Sequence, residues 1–561
     1  MMRYDIIVAG AGTAGVFAAL SAAKQGMNVL LLEKTTACGG IGTNGAIAPY
    51  YDRNFIDLSE EIDKKVFDRQ ENSGFLLPLK RNCVSTELLK GAFEQELLKN
   101  GVEIIYQAVV IGVLSDSNRV TGLKWHDPQG NHEAAAAVVI DSTADGIVLA
   151  LAGAEFLEDG IRQPYARIYS YLADDSLWNF GGDAGYVDQD DPENLSRECL
   201  KSAAAQIPEM FCEEEKRFLT APVLGLREGR HLRGCETVRF SDIIHNKQPE
   251  NPIAWEYANF DTHTIDLVFE KEDFYLFCVT ALQWGTRFNI AIPFGALLPA
   301  GIEGVIAAGR MISADHEAAQ SVRMKGCMKH LGIVAGTAAV IAVKKKISLS
   351  EVSVQEITAF YPLPERETLL KQNTDLWLTD PVEIKENLRK RNPGTAIWSA
   401  YLKGITEPLY ELLEEPGFAR VHGAFALALQ YDKHALEVLR ELAENQDQNR
   451  SETLRNEPIR EPHGAIAAYL LGRLNDTESF PLLCNLFENS DDFFFVSSAW
   501  HSLLRLTENN SELRRSGYDI LKKFVVGQRK IPAFRCYCGE ICDATEKMKS
   551  ITLKHLNNIT L

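Results

Sequence analysis

Tyr4 to Ala9 (YDIIVA) is a short unbroken apolar run with β-branched members, the pattern of a strand buried on both faces. Val16 to Gln25 then reads as a helix, and Met27 to Leu32 (MNVLLL) as a second buried strand ending at Glu33. Further on, Ser85 to Lys99 has the spacing of an amphipathic helix, and Asn100 to Val113 reads as a strand. The stretch VVIDSTADGIVLALAGAEF predicts a strand followed by a helix of small residues. Val305 to Ala308 predicts another strand, and Lys325 to Val343 another helix rich in small residues. Asp266 to Trp284 (DLVFEKEDFYLFCVTALQW) reads as strands whose aromatics either wall a pocket or fill a core.

The last third changes period. From about Ala396 the apolar positions repeat as helix, turn, helix in three successive segments, beginning near Pro416, Pro462 and Asp491. His422 to His463 spans 41 residues and His463 to Ser498 spans 35, close to the periods of HEAT-like repeats. Each pair can bury one apolar stripe against its neighbour. The histidines at the segment starts read as packing or capping groups. The charged run around Glu444 to Arg460 reads as a solvated loop, and Tyr361 to Glu365 (YPLPE) as a turn in a connector.

Composition narrows the classes. The chain has 561 residues, 46% hydrophobic and 24% charged, near the globular average. Its net charge of -19 argues against nucleic acid or an anionic membrane surface as the main partner. No uncharged apolar run approaches the roughly 18 residues of a spanning helix, so none is expected. The N-terminus lacks the basic region of a signal peptide. Eleven cysteines, an odd number in a long chain, fit reduced thiols and a cytoplasmic location better than a disulfide framework.

Candidate chemistry begins directly after the first strand. GAGTAG places Gly10, Gly12 and Gly15 in G-x-G-x-x-G spacing, with Thr13 and Ala14 between them. Gly10 permits the tight turn, Gly12 lets a pyrophosphate approach the backbone, and Gly15 lets helix and strand pack closely. The helix N-terminus offers N–H groups and a positive dipole end to phosphate. Glu33, followed by Lys34, lies 18 residues beyond Gly15, where a carboxylate can accept from ribose hydroxyls. A second glycine-rich stretch follows, with Gly39, Gly40 and Thr43.

With these motifs in register, residues 1 to 345 resemble the FAD-dependent oxidoreductase family, with its glutathione-reductase-like FAD domain in the Rossmann superfamily. The resemblance implies non-covalent FAD, with Gly39, Gly40 and Thr43 along the pyrophosphate and ribityl chain and Val109 offering its backbone to adenine. Thr143 and Asp145 match a family D-x-T-G-D segment in which Ala144 replaces the usual glycine. Residues 292–343 are similar to the closing FAD segment, which implies that Gly309 and Arg310 meet the ribityl and phosphate region. The C-terminal region resembles HEAT-type repeats.

Catalytic candidates follow from the same resemblance. LGLREGRHLRGCETV supplies Arg227, Glu228, Arg230 and Arg233, with Gly229 where serine is usual, and Asp261 and His263 match a family D-x-H. Such arginines either clamp a substrate carboxylate or reduced flavin, or lock a turn with Glu228. His263 is either functional or structural. In SADHEAAQSVR, Asp315, His316 and Glu317 are candidate bases together with His263, with Arg323 a stabiliser of negative charge. The other reading has His316 and Glu317 orienting the loop or bonding FAD phosphate. Cys38 lies beside the second glycine stretch but gives no ground for covalent attachment. Cys536, Cys538 and Cys542 lack a fourth neighbouring ligand, and no metal is expected. No C-x-x-C and no second G-x-G-x-x-G is present, so neither disulfide reduction nor a separate NAD(P)H domain is expected.

The expected architecture is an α/β FAD-binding Rossmann-like domain with an inserted mixed α+β substrate domain, followed by an all-α helical-repeat domain. Its parts are residues 1–155 (FAD, first part), 156–290 (cap), 291–345 (FAD, closing part), 346–395 (connector) and 396–561 (helices). The expected function is hydride transfer between flavin N5 and a small organic substrate. The helical domain covers the flavin, recruits a protein partner or mediates homo-oligomerisation. Two alternatives stand beside this: an FAD-binding scaffold whose helices are the working surface, and a tRNA-modifying flavoenzyme, against which the acidic balance counts.

Overall fold

A computed structural model describes residues 2–48, 57–72, 84–157, 163–173, 176–188, 191–205, 216–282, 285–361, 363–537 and 539–559. Cys538 lies outside the described residues, as does Trp284. The chain divides into two compact units, residues 1–263 with 288–370, and residues 264–287 with 371–561. The segment 264–287 thus clusters with the C-terminal helices, although sequence order sets it inside the stretch read as the cap.

The first unit is built on a mixed sheet of β1 (Met2–Ala9), β2 (Val29–Glu33), β3 (Glu103–Tyr106), β4 (Val109–Asp116), β5 (Arg119–Asp127), β6 (Gly130–Asp141) and the strand Val305–Ala307. The order is β3-β2-β1-β6-β5-β4, with Val305–Ala307 parallel to the end of β6. β1 runs parallel to both β2 and β6, setting Ile7 opposite Leu30 and Val139. The continuous apolar runs of β1 and β2 are what a strand between two parallel neighbours requires, since both faces are covered. The single strand expected over Asn100 to Val113 is two strands. Gln107 adopts a left-handed φ of 56°, and Ala108 N then bonds to Glu33 O at 2.9 Å, turning the chain between β3 and β4.

Helix α1 (Thr13–Lys24) follows β1, starting inside the glycine motif. α2 (Asp57–Asn72) and α3 (Thr86–Lys99) come next, the latter capped by Ser85 Oγ, which accepts from Leu88 N at 3.4 Å. The long helix Lys325–Lys345 lies against α1. A Cβ on Gly332 would stand 2.2 Å from Ala14 O, so the two backbones meet at a distance only glycine allows. By length and composition this helix could cross a bilayer, against the expectation that none would; most of it is buried inside the protein. The unit also holds an antiparallel group, Gln163–Ala173, Ser176–Val187, Lys216–Thr220 and Gly225–Leu226, and the antiparallel pair Pro252–Ala258 with Phe288–Pro293.

The second unit is largely helical. Asp266 to Trp284, expected as strands, is instead helical over its described part: a turn at Leu267–Phe269, a helix at Glu272–Phe277 and a wider turn of helix at Cys278–Leu282. Asp266 Oδ1 accepts from Val268 N at 3.1 Å and starts the turn, and the polar Glu270–Asp273 group interrupts any strand alternation. The three expected helix pairs are present: Phe418–Leu429 with Leu436–Glu444, His463–Arg473 with Phe480–Asn489, and Phe493–Asn509 with Arg514–Val526. In each pair the first helix is the more deeply buried.

The loop read as solvated is partly interior, because it carries the link between the repeat histidines. His422 Nδ1 donates to Leu388 O at 2.9 Å, which leaves Nε2 to accept from Ser451 Oγ at 2.6 Å. Ser451 Oγ in turn accepts from His463 Nε2 at 2.9 Å. Ser451, Thr453 and Ile459 are buried. Burial holds both imidazoles neutral, pushing His422 down to about 3 and His463 to about 4. Phe534–Arg535 pairs with Ile541–Cys542 as a small hairpin, and no three described His, Cys, Asp or Glu residues are grouped to hold a metal.

Candidate functional site

The carboxyl end of β1 opens onto the glycine turn. Gly10 has φ 93°, and its missing side chain is required, since a Cβ would meet Ser142 O at 2.4 Å. A Cβ on Gly15 would meet Gly10 O at 1.9 Å, so the first turn of α1 lies directly on the strand end. At Gly12 a Cβ would meet nothing within 4 Å, and no side chain caps α1 there. An open backbone face at an uncapped helix N-terminus, with Thr13 and Ala14 in the first turn, fits a pyrophosphate.

Glu33 is buried at the end of β2. Its Oε2 accepts from Ala11 N at 2.7 Å and its Oε1 from Thr35 N at 2.8 Å. Each oxygen keeps acceptor capacity for a ribose hydroxyl. Lys34 is exposed beside it, and Val109 is exposed at the start of β4, one residue after Ala108, whose N donates to Glu33 O. Gly39 N donates to Ala11 O at 2.7 Å, and Gly39 pairs in parallel with Gly12, so the second glycine stretch returns to the first. Gly40 follows in a short turn that ends at Thr43, whose hydroxyl donates to Cys38 O at 2.6 Å. These residues fit a dinucleotide of the FAD type. Burial pushes the Cys38 thiol up to about 12, which disfavours a reactive thiolate there.

The turn after β6 is fixed by its own polar atoms. Thr143 Oγ1 donates to Asp141 at 2.7 Å and accepts from Ile147 N at 2.8 Å, starting helix α4 (Ile147–Leu151). Ala144 has φ 71°, the left-handed conformation that the family's usual glycine adopts freely. Arg310 clasps this turn: Nε donates to Ala144 O at 3.3 Å, Nη2 to Asp145 Oδ1 at 2.7 Å, and Nη1 to Leu226 O. Arg230 Nε donates to Asp145 O at 3.0 Å and its guanidinium lies over Phe156. Gly309 precedes Arg310 with φ 154°, and Arg233 pairs with Glu155 at 3.2 Å.

Beyond the strand Val305–Ala307, two carboxylates gather the remaining candidates. Glu228 Oε1 receives both His316 Nδ1 at 2.6 Å and His231 Nε2 at 3.1 Å. Burial raises the Glu228 pKa, but the charge of His316 and the two imidazole hydrogen bonds outweigh it and hold the carboxyl well below the usual range. Asp261 Oδ2 pairs with His263 Nε2 at 3.0 Å, Arg323 Nη2 at 3.1 Å and Arg227 Nη1 at 3.7 Å. Burial again opposes ionisation, and the His263 hydrogen bond with the neighbouring Arg323 and Arg227 guanidiniums again holds the carboxyl well down. Arg323 also donates to Gln320 O and Arg227 O, so its guanidinium is largely spent within the chain. Burial lowers Arg323 to about 10, and Asp261 offsets part of that.

The structure therefore brings His316, Arg323 and His263 into one linked array, while Arg230 sits on the Asp145 turn. Asp315 caps the short helix His316–Ala319, its Oδ1 accepting from Ala318 N at 3.0 Å, and is committed structurally. Three residues were not singled out from the sequence. Lys325 opens the long helix, and its Nζ donates to Ile47 O at 2.6 Å and Ala48 O at 3.0 Å, closing the second glycine stretch onto that helix. Gln320 stands four residues after His316 across a short helix, and that spacing was the available signal; His231 follows Glu228 in irregular chain, where no period marks it.

The model of a family described as FAD dependent oxidoreductase matches residues 5–168 and 172–360. Digeranylgeranylglycerophospholipid reductase 2 of Methanopyrus kandleri is 30% identical over 158 residues, covering 26% of this chain and 38% of its own length. The digeranylgeranylglycerophospholipid reductase of Methanocella arvoryzae is 29% identical over 161 residues, 26% of this chain and 40% of its own. The chain thus spans less than half the length of these curated relatives. Among solved structures, a myxobacterial chondrochloren halogenase is 13% identical with a TM-score of 0.36, over 64% of this chain and 78% of that one. A geranylgeranyl bacteriochlorophyll reductase-like protein of Thermoplasma acidophilum is 13% identical with a TM-score of 0.33, over 79% of this chain and all of that one.

Proposed function

Since this chain belongs to the FAD-dependent oxidoreductase family, we propose that it holds FAD non-covalently and acts on a small organic substrate, with His316 as the base. When bound, FAD supplies hydride acceptance or donation at N5. The chain's own residues do the rest. Gly10 to Gly15, Glu33 and the Gly39–Thr43 turn bind the dinucleotide, and Lys325 and Arg310 fix the loops around it. Glu228 orients His316 and stabilises its charged form after a proton is taken, as a carboxylate does for a catalytic imidazole. Asp261 orients His263 and holds the Arg323 guanidinium in place.

The observation that carries this reading is the 2.6 Å bond between Glu228 and His316 Nδ1, with the imidazole 26% exposed beside the strand end where the family's cofactor lies. The lipid-reductase names of the curated relatives attach to about a quarter of the chain and leave the substrate open. The acidic charge and the absence of disulfides among the described cysteines support a cytoplasmic setting. The paired helices offer a surface for a protein partner or a second copy.

The test is anaerobic bleaching of the purified flavoprotein by hydroxy acids, amines, amino acids and sugars. For the substrate found, His316→Gln should lower the bleaching rate about 100-fold or more with flavin content unchanged. Glu228→Gln should shift the acid limb of the rate profile to lower pH. A His316→Gln protein that bleaches at the native rate removes His316 as the base.

A further inference from the structure

We propose that His231 is a positioning residue for His316, acting through the one Glu228 oxygen that both imidazoles share, and that it keeps His316 free to take a proton. The proposal rests on the reading of His316 as the base and names what regulates it. His231 Nε2 lies 3.1 Å from Glu228 Oε1, and His316 Nδ1 lies 2.6 Å from the same atom. Glu228 is ionised, so that oxygen only accepts, and each of the two nitrogens carries a hydrogen.

A carboxylate this close favours the charged form of an imidazole. An imidazole that already carries both protons takes no other, so too strong a pull from Glu228 removes the base. His231 opposes that pull in two ways. Its N–H draws electron density from the shared oxygen, which weakens the acceptor left to His316. Its hydrogen also sits against the His316 N–H on that oxygen, and the repulsion between them grows when His316 becomes charged. Both effects have the same sign, and both need only the hydrogen on His231 Nε2.

The fold holds the two imidazoles differently. The His231 side chain is 2% exposed. Its carbonyl accepts from Leu157 N at 2.8 Å, and Leu232 N donates to Met311 O at 2.9 Å, so the chain is pinned on both sides of the ring. His316 lies in a short helix with its side chain 26% exposed. The inner imidazole is thus fixed and tunes, and the outer one is placed to meet a substrate. The other charged groups of the array are Asp261 with His263, Arg323 and Arg227, then Arg310 near Arg323, and Asp315 and Glu317 beside His316. A substitution at position 231 leaves all of these in the chain, so a change between variants reports His231.

The test is a pH titration of the 15N-histidine-labelled flavoprotein by NMR, read beside the acid limb of substrate bleaching. In the native chain His231 Nε2 should carry a hydrogen at neutral pH. A bare Nε2 overturns the proposal, and this measurement stands whether or not any variant folds. His231→Phe keeps a ring and removes the donor. In it His316 should hold its proton about threefold more tightly or more, moving its midpoint and the acid limb to higher pH by about 0.5 or more. His231→Gln, whose amide nitrogen reaches the place of Nε2, should restore the native midpoint. An unchanged or lowered midpoint in His231→Phe overturns the proposal and leaves the His316 reading intact. A midpoint raised equally in His231→Gln and His231→Phe also overturns it, because the donor is then not the cause. A raised midpoint with an unmoved acid limb upholds the coupling through Glu228 and removes His316 as the base.

Discussion

Lys329 Nζ donates to both oxygens of Asp63, at 2.7 and 2.6 Å, and both side chains are buried, at 2% and 5% exposure. The pair ties α2 to the long helix Lys325–Lys345, and burial draws the Lys329 pKa down while Asp63 draws it back. Removing one partner strands a buried charge, which costs about 3–5 kcal/mol. Lys329→Met should therefore destabilise the protein by about that amount in urea titration. Asp63→Leu combined with Lys329→Met should recover most of the loss, because an apolar pair of similar volume replaces a paired charge at little cost.

Ala144 holds a left-handed φ of 71°. That conformation costs an L-residue about 1–2 kcal/mol, partly offset by the greater unfolded-state freedom of glycine. Ala144→Gly should raise stability by about 0.5–1 kcal/mol, seen as a higher melting temperature. Arg310 and Arg230 already hold the turn, so the gain should come without a change in flavin content.

Gly332→Ala tests the helix contact beneath the nucleotide turn. The added methyl would sit 2.2 Å from Ala14 O, which is backbone and cannot swing aside. The helices must separate, carrying the first turn of α1 with them. The variant should purify with little or no flavin, or fail to fold, whereas Gly91→Ala in α3 should keep its colour, since nothing lies within 4 Å there and the backbone is helical.

In the helical unit Glu461 is buried with neither carboxylate oxygen hydrogen-bonded. Burial first, and the nearby Asp266 second, push its pKa up from 4.5 to about 8. Arg460 and Arg450 act the other way, and burial raises Asp266 as well. In the window from 4.5 to about 8 the folded chain keeps a proton that the unfolded chain has released. Stability from this group is full below that window and falls as pH rises through it. Thermal melts between pH 5 and 9 should show that decline, and Glu461→Gln should flatten it. An equal slope in both proteins would remove Glu461 as its source.

The nucleotide half of the site was readable because Gly10 to Gly15, Glu33 and Gly39 to Thr43 all fall within the first 43 residues, in a fixed order of strand, glycine turn, helix, strand and acid. The array around Glu228 and Asp261 was readable only as loose candidates. Its members come from residues 227–231, 261–263 and 316–323, and no local period says that Glu228 faces His316 rather than Arg227. Arg310 illustrates the limit. Its position beside the strand end was legible, but its use of all three nitrogens on Ala144, Asp145 and Leu226 is a property of the assembled loops. The misread segment from Asp266 has β-branched and aromatic residues that suit a strand, and packing among the helices overrode that preference.

The contact of Gly332 with Ala14 also sets a timetable for biosynthesis. The glycine turn leaves the ribosome early, but the strand Val305–Ala307 and the long helix that cover it follow some three hundred residues later. At about 5–20 residues per second, that leaves roughly 15–60 s in which β6 lacks its partner strand and α1 its partner helix. The buried faces of α1 and β6 are apolar, so the nascent chain carries exposed, aggregation-prone surface until Lys345 emerges, and slower elongation lengthens that exposure.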